Sequence, residues 1–360
     1  MSQSNSFSTL FNRKSFQWPN QQHLSEGIAG KTILVTGAGG SIGSALCLHI
    51  ASLQPRKLVL LGRGEHSLYA IQRRLSSFSD TNIELALGDI QEIRQLEHIF
   101  ALHRPQLIFH TAAYKHVNML EQFPCQATLN NVLGTLNVMQ VSRNIESERL
   151  VFISTNKAVN PTSLLGATKK LCECMLNQHV LDSVTDLVSV RFGNVFRSSG
   201  NVVELFEKQV RDHRRITITD PNAQRFYMDV EDATHTVVNA TLEAQTGEVA
   251  IMDMGSPITI GTLADGIVES LGLKPHEDVY YDYIGLQHGE KLVEQLYTEV
   301  ESERIRRVGP IMYTQTDMEG VPYGMGMIDE LINRAQEQNS AKVRSFLNKY
   351  MPTHIPVHSE

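Results

Sequence analysis

The stretch KTILVTGAGGSIG (31–43) decides the fold. It opens on an apolar run of the kind found in a strand covered on both faces. It closes on T-G-x-x-G-x-x-G, from Thr36 to Gly43. In such a turn Gly37 permits the tight bend and Gly40 lets the backbone approach a pyrophosphate. Gly43 lets the following helix pack close to the strand, with the helix N-terminus facing the phosphates. Gly39, Ser41 and Ile42 complete the cradle. A glycine pattern by itself also fits a mere tight turn. Here it follows a strand and opens the amphipathic pattern SIGSALCLHIASL, with Ile42, Ala45, Leu46 and Ile50 on one face.

Outward from this turn, apolar runs alternate with helical patterns. RKLVLLG (56–62), IELALGDI (83–90), QLIFHTAA (106–113), RLVFIST (149–155) and DLVSVRFGNV (186–195) read as further buried strands. Strand, helix, strand at this spacing predicts an α/β fold: a Rossmann-like doubly wound parallel sheet. We assign 28–195 to this dinucleotide-binding domain, with EVAIMDM (248–254) expected to return to the sheet. Residues 196–350 are expected to form a smaller C-terminal mixed α/β lobe. Residues 1–27, polar and holding the only tryptophan, Trp18, read as an extension. Residues 351–360 read as a frayed tail.

Composition bounds the function. Of 360 residues, 41% are hydrophobic and 20% charged, enough apolar material to exclude disorder for most of the chain. No apolar run reaches the roughly 18 residues of a membrane span. A net charge of -7 with no basic block argues against nucleic acid. The cysteines, Cys47, Cys125, Cys172 and Cys174, include C-x-C rather than C-x-x-C, so no structural zinc or other metal site is expected. The Met1 end lacks an apolar core for a secretory signal, and a reduced cytoplasmic protein is the expectation.

The second strand ends at Leu61-Gly62-Arg63. A site selective for NAD usually places a carboxylate there for the ribose 2′-hydroxyl. Gly62 offers none, and Arg63 suits a 2′-phosphate, which favours NADP. Arg63 solvated or stacked on adenine leaves NAD open. Asp89 ends the third strand, beside Ile90, where it either reaches the adenine amino group or caps the next helix.

FHTAAYKHV (109–117), LNNVLGTLNV (129–138), STNKAVNPTSLLGATK (154–169), RFGNVFRSSGNVV (191–203) and GLQHGEKL (285–292), with the glycine turn, resemble the extended short-chain dehydrogenase/reductases. Within them the chain resembles the nucleotide-sugar 4,6-dehydratases of polysaccharide biosynthesis, which act on UDP-N-acetylglucosamine. The likeness runs from about Gly30 to Leu296. It implies a tightly bound, recycled NADP or NAD, a UDP-sugar substrate and a homo-oligomer. It also implies an internal redox cycle: oxidation at C4, removal of the C5 proton, loss of the C6 hydroxyl and hydride return to C6. The segment before the sheet resembles the one that joins a membrane anchor to the catalytic domain in longer members, and a chain without that anchor is the expectation.

The resemblance assigns roles, and three positions depart from it. The triplet Thr-Asp-Lys reads Thr155-Asn156-Lys157. The aspartate is the acid for the C6 hydroxyl, and an amide has no titratable proton to give. Asn156 can still hydrogen-bond that hydroxyl. Lys157 is either the C5 base or an ion pair at the rim. In the Tyr-x-x-x-Lys pair, Lys169 is present but Leu165 stands at the tyrosine, so the C4-hydroxyl proton needs another acceptor. Thr155 relaying through water, or Lys157, are candidates, and Lys169 binds the nicotinamide ribose. Gln287 replaces an arginine near the diphosphate, a contact His288 or Arg225 would have to supply.

The remaining positions match. Ala112 and Ala113 border the cofactor, and Lys115 and His116 begin the substrate pocket. Asn131 supports the active-site lysine. Asn194 faces the sugar phosphates or amide, Ser198, Ser199 and Val202 cradle the nucleotide, and Arg225 lies near the substrate. Glu290 and Lys291 are nucleotide ligands or a structural salt bridge. Three functions follow: a UDP-N-acetylhexosamine 4,6-dehydratase, a C4 epimerase or oxidoreductase on the same substrates, or a catalytically impaired binding protein.

Overall fold

The apolar runs become strands of one nine-stranded sheet. The computed structural model describes Phe16, Trp18 and residues 21–180, 183–196, 198, 200–318 and 324–350. Six parallel strands form the frame: β1 Thr32–Thr36, β2 Lys57–Gly62, β3 Asn82–Leu87, β4 Leu107–His110, β5 Arg149–Thr155 and β6 Asp186–Phe192. Their order, β3-β2-β1-β4-β5-β6, reverses direction between β1 and β4. In such sheets the crevice beyond the strands' carboxyl ends at that reversal takes the ligand.

All five residues of β1 are buried, because helices cover both faces. One face packs Leu46, Ile50 and Val237 against the sheet, together with Leu24 and Ile28 of helix Gln21–Ile28. The other packs Phe100, Leu136, Leu171 and Leu331. Trp18 joins the first face through its side chain. Its Nε1 donates to Asp232 Oδ1 at 2.8 Å, and its ring stacks on His235 at 5.1 Å.

Residues 196–350, expected to form one lobe, divide between two bodies. Strand β7, Glu248–Met252, pairs in parallel with β6. Strands β8, Arg306–Val308, and β9, Ile311–Gln315, then extend the edge antiparallel. Helices Met325–Gln336 and Ser340–Tyr350 pack Leu331 and Phe346 into the core of the sheet. The antiparallel return needs no crossover helix, so the sequence carries no strand-helix alternation to announce it.

What remains of the lobe has its own core. Phe206 and Val210 of helix Val202–His213 meet Leu263 and Ile267 of helix Ile260–Ser270. Below them Arg215–Ile218 pairs in parallel with Tyr280–Tyr283. A buried ion cluster ties the two bodies' connecting segment to the sheet. Arg191 of β6 donates to both oxygens of Glu173 at 2.8 and 2.6 Å, and to both of Glu301 at 2.6 and 2.8 Å. Among the described residues no helix is long and apolar enough to cross a membrane.

Candidate active site

The glycine turn lies at the end of β1, against the start of the loop that follows β4. Gly37 has φ +67°, and a Cβ there would lie 2.7 Å from the Ala112 Cα. A Cβ on Gly43 would lie 2.2 Å from the Gly37 carbonyl oxygen, so only glycine lets helix Ser41–Ser52 start this close to the strand. Gly40 is its N-cap and no side chain caps it. A helix N-terminus of this kind, reached through a glycine cap, suits a phosphate. The cradle fits a dinucleotide pyrophosphate on these grounds.

Beside the turn is a cavity of about 200 Å³ lined by Gly39, Gly40, Asp89, Ile90, Ala112 and Ala113, with Arg63 at its rim. Arg63 is half exposed, donates to the Tyr114 hydroxyl and lies 3.4 Å from Asp89 Oδ2. Asp89 Oδ1 accepts from the Gln91 amide at 3.0 Å. The following helix Ile93–His103 is capped at Glu92, so Asp89 closes the turn before that helix rather than capping it.

A second cavity, of about 830 Å³, begins at Gly39–Gly43 and runs between the sheet and the lobe. Thr155, Lys157 and Lys169 all line it. Lys169 stands on helix Leu164–Gln178, 6% exposed, where its Nζ donates to the Ile153 carbonyl at 2.7 Å and lies 4.4 Å from the Phe152 ring centre. Burial lowers its pKa to about 8, against the opposing pull of Cys172 and Glu173. Leu165, at the superfamily's tyrosine position, is buried and lines the same cavity. No phenol is there to share a proton with the amine.

Asn156 does not face this cavity, which corrects its expected contact with the substrate hydroxyl. The side chain is fully buried, because the short 3₁₀ turn Asn156–Ala158 after β5 directs it behind the cleft wall. There its Nδ2 donates to Glu294 Oε2 at 2.8 Å. Glu294, which the sequence reading passed over, does line the cavity. Its Oε1 lies 2.8 Å from Lys157 Nζ and 3.6 Å from Arg225 Nε, and its Oε2 lies 3.5 Å from Asn194 Nδ2. Burial pushes this carboxyl up, but the charges of Lys157 and Arg225 and the bonds from Lys157 and Asn156 outweigh it and hold the pKa below the usual range. The signal available was its place three residues beyond Lys291, in the same segment.

The lobe supplies the other wall. Asn194, Ser198 and Val202 line the cavity opposite Lys115 and His116, and Lys157 Nζ donates to Asn194 Oδ1 at 3.3 Å. Ser199 lies outside the described residues. Arg225 lines the cavity, and its Nη1 also holds the 285–292 segment by donating to the Lys291 carbonyl at 2.8 Å. Lys291 Nζ donates to the Val159 carbonyl, and burial lowers its pKa to about 8. Glu290 lines the cavity and accepts from the Gln287 amide at 3.1 Å. Gln287 itself is not part of the cavity wall. Its side chain turns back to the Gly285 carbonyl at 3.2 Å. Asn131 clasps the Tyr114 backbone through both amide atoms, at 2.9 and 3.1 Å, rather than touching Lys169. Among the described residues no group of His, Cys, Asp and Glu is arranged to hold a metal.

A doubly wound sheet with this glycine turn at the reversal point, and a buried lysine one helix beyond β5, defines an extended short-chain dehydrogenase/reductase. The chain belongs to the family described as polysaccharide biosynthesis protein, whose sequence profile matches residues 33–316. It is 37% identical to the capsular polysaccharide biosynthesis protein CapD of Staphylococcus aureus over 329 residues, 89% of this chain and 54% of CapD. The chain thus spans about half the length of that relative. It is 28% identical to the UDP-glucose 4-epimerase of Rickettsia canadensis over 297 residues, 81% of this chain and 84% of that protein. The X-ray structure of Pen from Bacillus thuringiensis superposes with a TM-score of 0.74 at 29% identity, covering 87% of this chain and 99% of that one.

Proposed function

We propose that this chain is a nicotinamide-dependent 4,6-dehydratase acting on a UDP-N-acetylhexosamine, in the making of a surface polysaccharide or glycan precursor. The observation that carries the reading is the shared cavity. The phosphate cradle at Gly40, the two lysines Lys157 and Lys169, and the cations Arg225 and Lys291 all open onto one space of about 830 Å³. A bound nicotinamide dinucleotide supplies acceptance and return of hydride.

The residues divide the remaining work. The Ser41–Ser52 helix start and Gly39–Gly43 hold the pyrophosphate, and Arg63 meets the adenosine ribose. Arg225 and Lys291 face the anionic half of the nucleotide sugar. Lys169, with a pKa near 8, exchanges a proton close to neutral pH and keeps the C4 hydroxyl within reach of Thr155. Lys157, on the wall of the same cavity, serves the chemistry at the sugar's C5 and C6.

C4 epimerisation is the second reading, favoured by Asn156 where an acid would stand. It needs only one proton acceptor, at the C4 hydroxyl. The Lys157–Glu294 pair gives this cleft a second acid-base station, which elimination requires and epimerisation leaves idle. Incubation with UDP-N-acetylglucosamine in deuterated water, followed by proton NMR, separates them. A C6 methyl signal with deuterium at C5 supports dehydration. A changed C4 configuration without a methyl signal overturns it.

A further inference from the structure

We propose that Glu294 is the base that removes the C5 proton, with Lys157 as its partner acid at the C6 hydroxyl. This rests on the dehydratase reading and replaces the chemistry that an aspartate at position 156 would have supplied. Glu294 is a carboxylate on the cavity wall, within 2.8 Å of Lys157 Nζ. Its backbone is fixed by the bridge between Gln224 and Val293 and by the Gln224 amide donating to the Leu292 carbonyl at 2.7 Å. The residue is 3% exposed and lines the cleft.

Its surroundings keep it anionic. Lys157 and Arg225 lie against one oxygen, and Asn156 and Asn194 donate to the other. Lys291 and Tyr227 also lie close enough to feel its charge. A carboxylate so held is present as the anion at neutral pH, the protonation state a base needs, although the same contacts weaken its basicity. Asn156 then has a purpose that an aspartate could not serve. Two carboxylates at 2.8 Å cannot both ionise, whereas an amide N–H leaves Glu294 charged.

The step balances. With C4 already a ketone, the Glu294 carboxylate takes the C5 proton. The C5–H electron pair forms the C5–C6 double bond as the C6–O bond breaks. The departing hydroxyl takes a proton from Lys157 Nζ and leaves as water. Glu294 now holds a proton and Lys157 is a neutral amine. Transfer across their 2.8 Å contact restores both. Since base and acid adjoin, proton and hydroxyl depart from the same face of the sugar.

The test uses UDP-4-keto-6-deoxy-N-acetylglucosamine in deuterated water. Its C5 proton is already acidified by the ketone, so exchange at C5 reads the base without any redox step. We expect the native enzyme to speed exchange and Glu294→Gln to lose about 100-fold or more of that rate. UDP affinity, measured by calorimetry, should stay within a few-fold in this variant. If E294Q fails to fold, Glu294→Asp decides. Exchange slowed about tenfold at unchanged UDP affinity supports the assignment, and an unchanged rate overturns it. Native-like exchange in folded E294Q also overturns it. If the keto sugar exchanges through Glu294 while UDP-N-acetylglucosamine yields no methyl product, the dehydratase reading falls and the assignment of Glu294 as a base stands.

Discussion

Asn156 Nδ2 meets Glu294 Oε2 at 2.8 Å across 138 residues of sequence, and this contact joins the position where the dehydratases carry an acid to a carboxylate of the cleft wall. The amide is committed to the carboxylate behind the cleft wall, and the carboxylate faces the cleft.

The first prediction concerns Asn156→Asp. Glu294 titrates below the usual carboxylate range, so a base at this position is active above that pKa and lost as pH falls through it. A second carboxylate in contact forces the pair to share a proton and raises that pKa. The acid limb of the kcat/KM profile should move to higher pH, and activity at neutral pH should fall. A strong rise in neutral activity would show that the asparagine limits elimination.

The parts of this site that the sequence revealed are local. The β1 turn can be read because strand, glycines and helix lie within 13 residues, 31–43, and each glycine answers a steric need visible in the motif. Lys169 can be read because its helix follows β5 directly. Glu294 and the buried face of Asn156 cannot, because their contact depends on how the 285–294 segment closes over β5. The same holds for β9. Ile311–Gln315 is a short apolar run, and only its antiparallel register with Glu248–Met252 places it in the sheet. Gln287 was misplaced for the opposite reason: a motif position was taken as a cleft position, and the loop turns its amide back on itself.

Lys169 yields a linked pair of effects. Its folded pKa of about 8 lies below the ordinary 10.5, so between those values the unfolded chain binds more protons and stability rises with pH. Lys169→Met should abolish that rise and stabilise the protein at pH 7 by on the order of 1–3 kcal/mol. The same change should cut turnover about 10²–10⁴-fold. Thermal unfolding from pH 7 to 10.5 and initial rates check the two halves. A pH-independent loss of stability in the variant contradicts the argument.

Arg191 predicts a purely structural cost. It neutralises Glu173 and Glu301, all three wholly out of water. Removing it leaves Glu173 buried without its ion-pair partner and Glu301 with only Lys170, at 3.9 Å, as a cation. Arg191→Met should lower unfolding free energy by about 3–5 kcal/mol in urea titration. Glu301, although raised by burial, is pushed down to about 2 by Arg191 and its other partners. Its contribution is thus present above the usual carboxylate pKa and lost as pH falls toward 2. A cost under about 1 kcal/mol would contradict this.

Arg63 carries a prediction about cofactor preference. Its guanidinium is half exposed at the rim of the cavity beside the glycine turn. Calorimetry on Arg63→Ala should show NADP affinity reduced about tenfold and NAD affinity changed far less. Equal losses for both would assign Arg63 to the adenine or to packing on Tyr114.

The most direct measurement follows one atom. UDP-N-acetylglucosamine carrying deuterium at C4 is incubated with the enzyme in ordinary water, and the product is read by NMR and mass spectrometry. An internal redox cycle predicts that the label is recovered in the C6 methyl group of a 4-keto product, with no loss to solvent or to added cofactor. Label found at C4 of an epimerised sugar, with the C6 hydroxyl still in place, would contradict the dehydratase account.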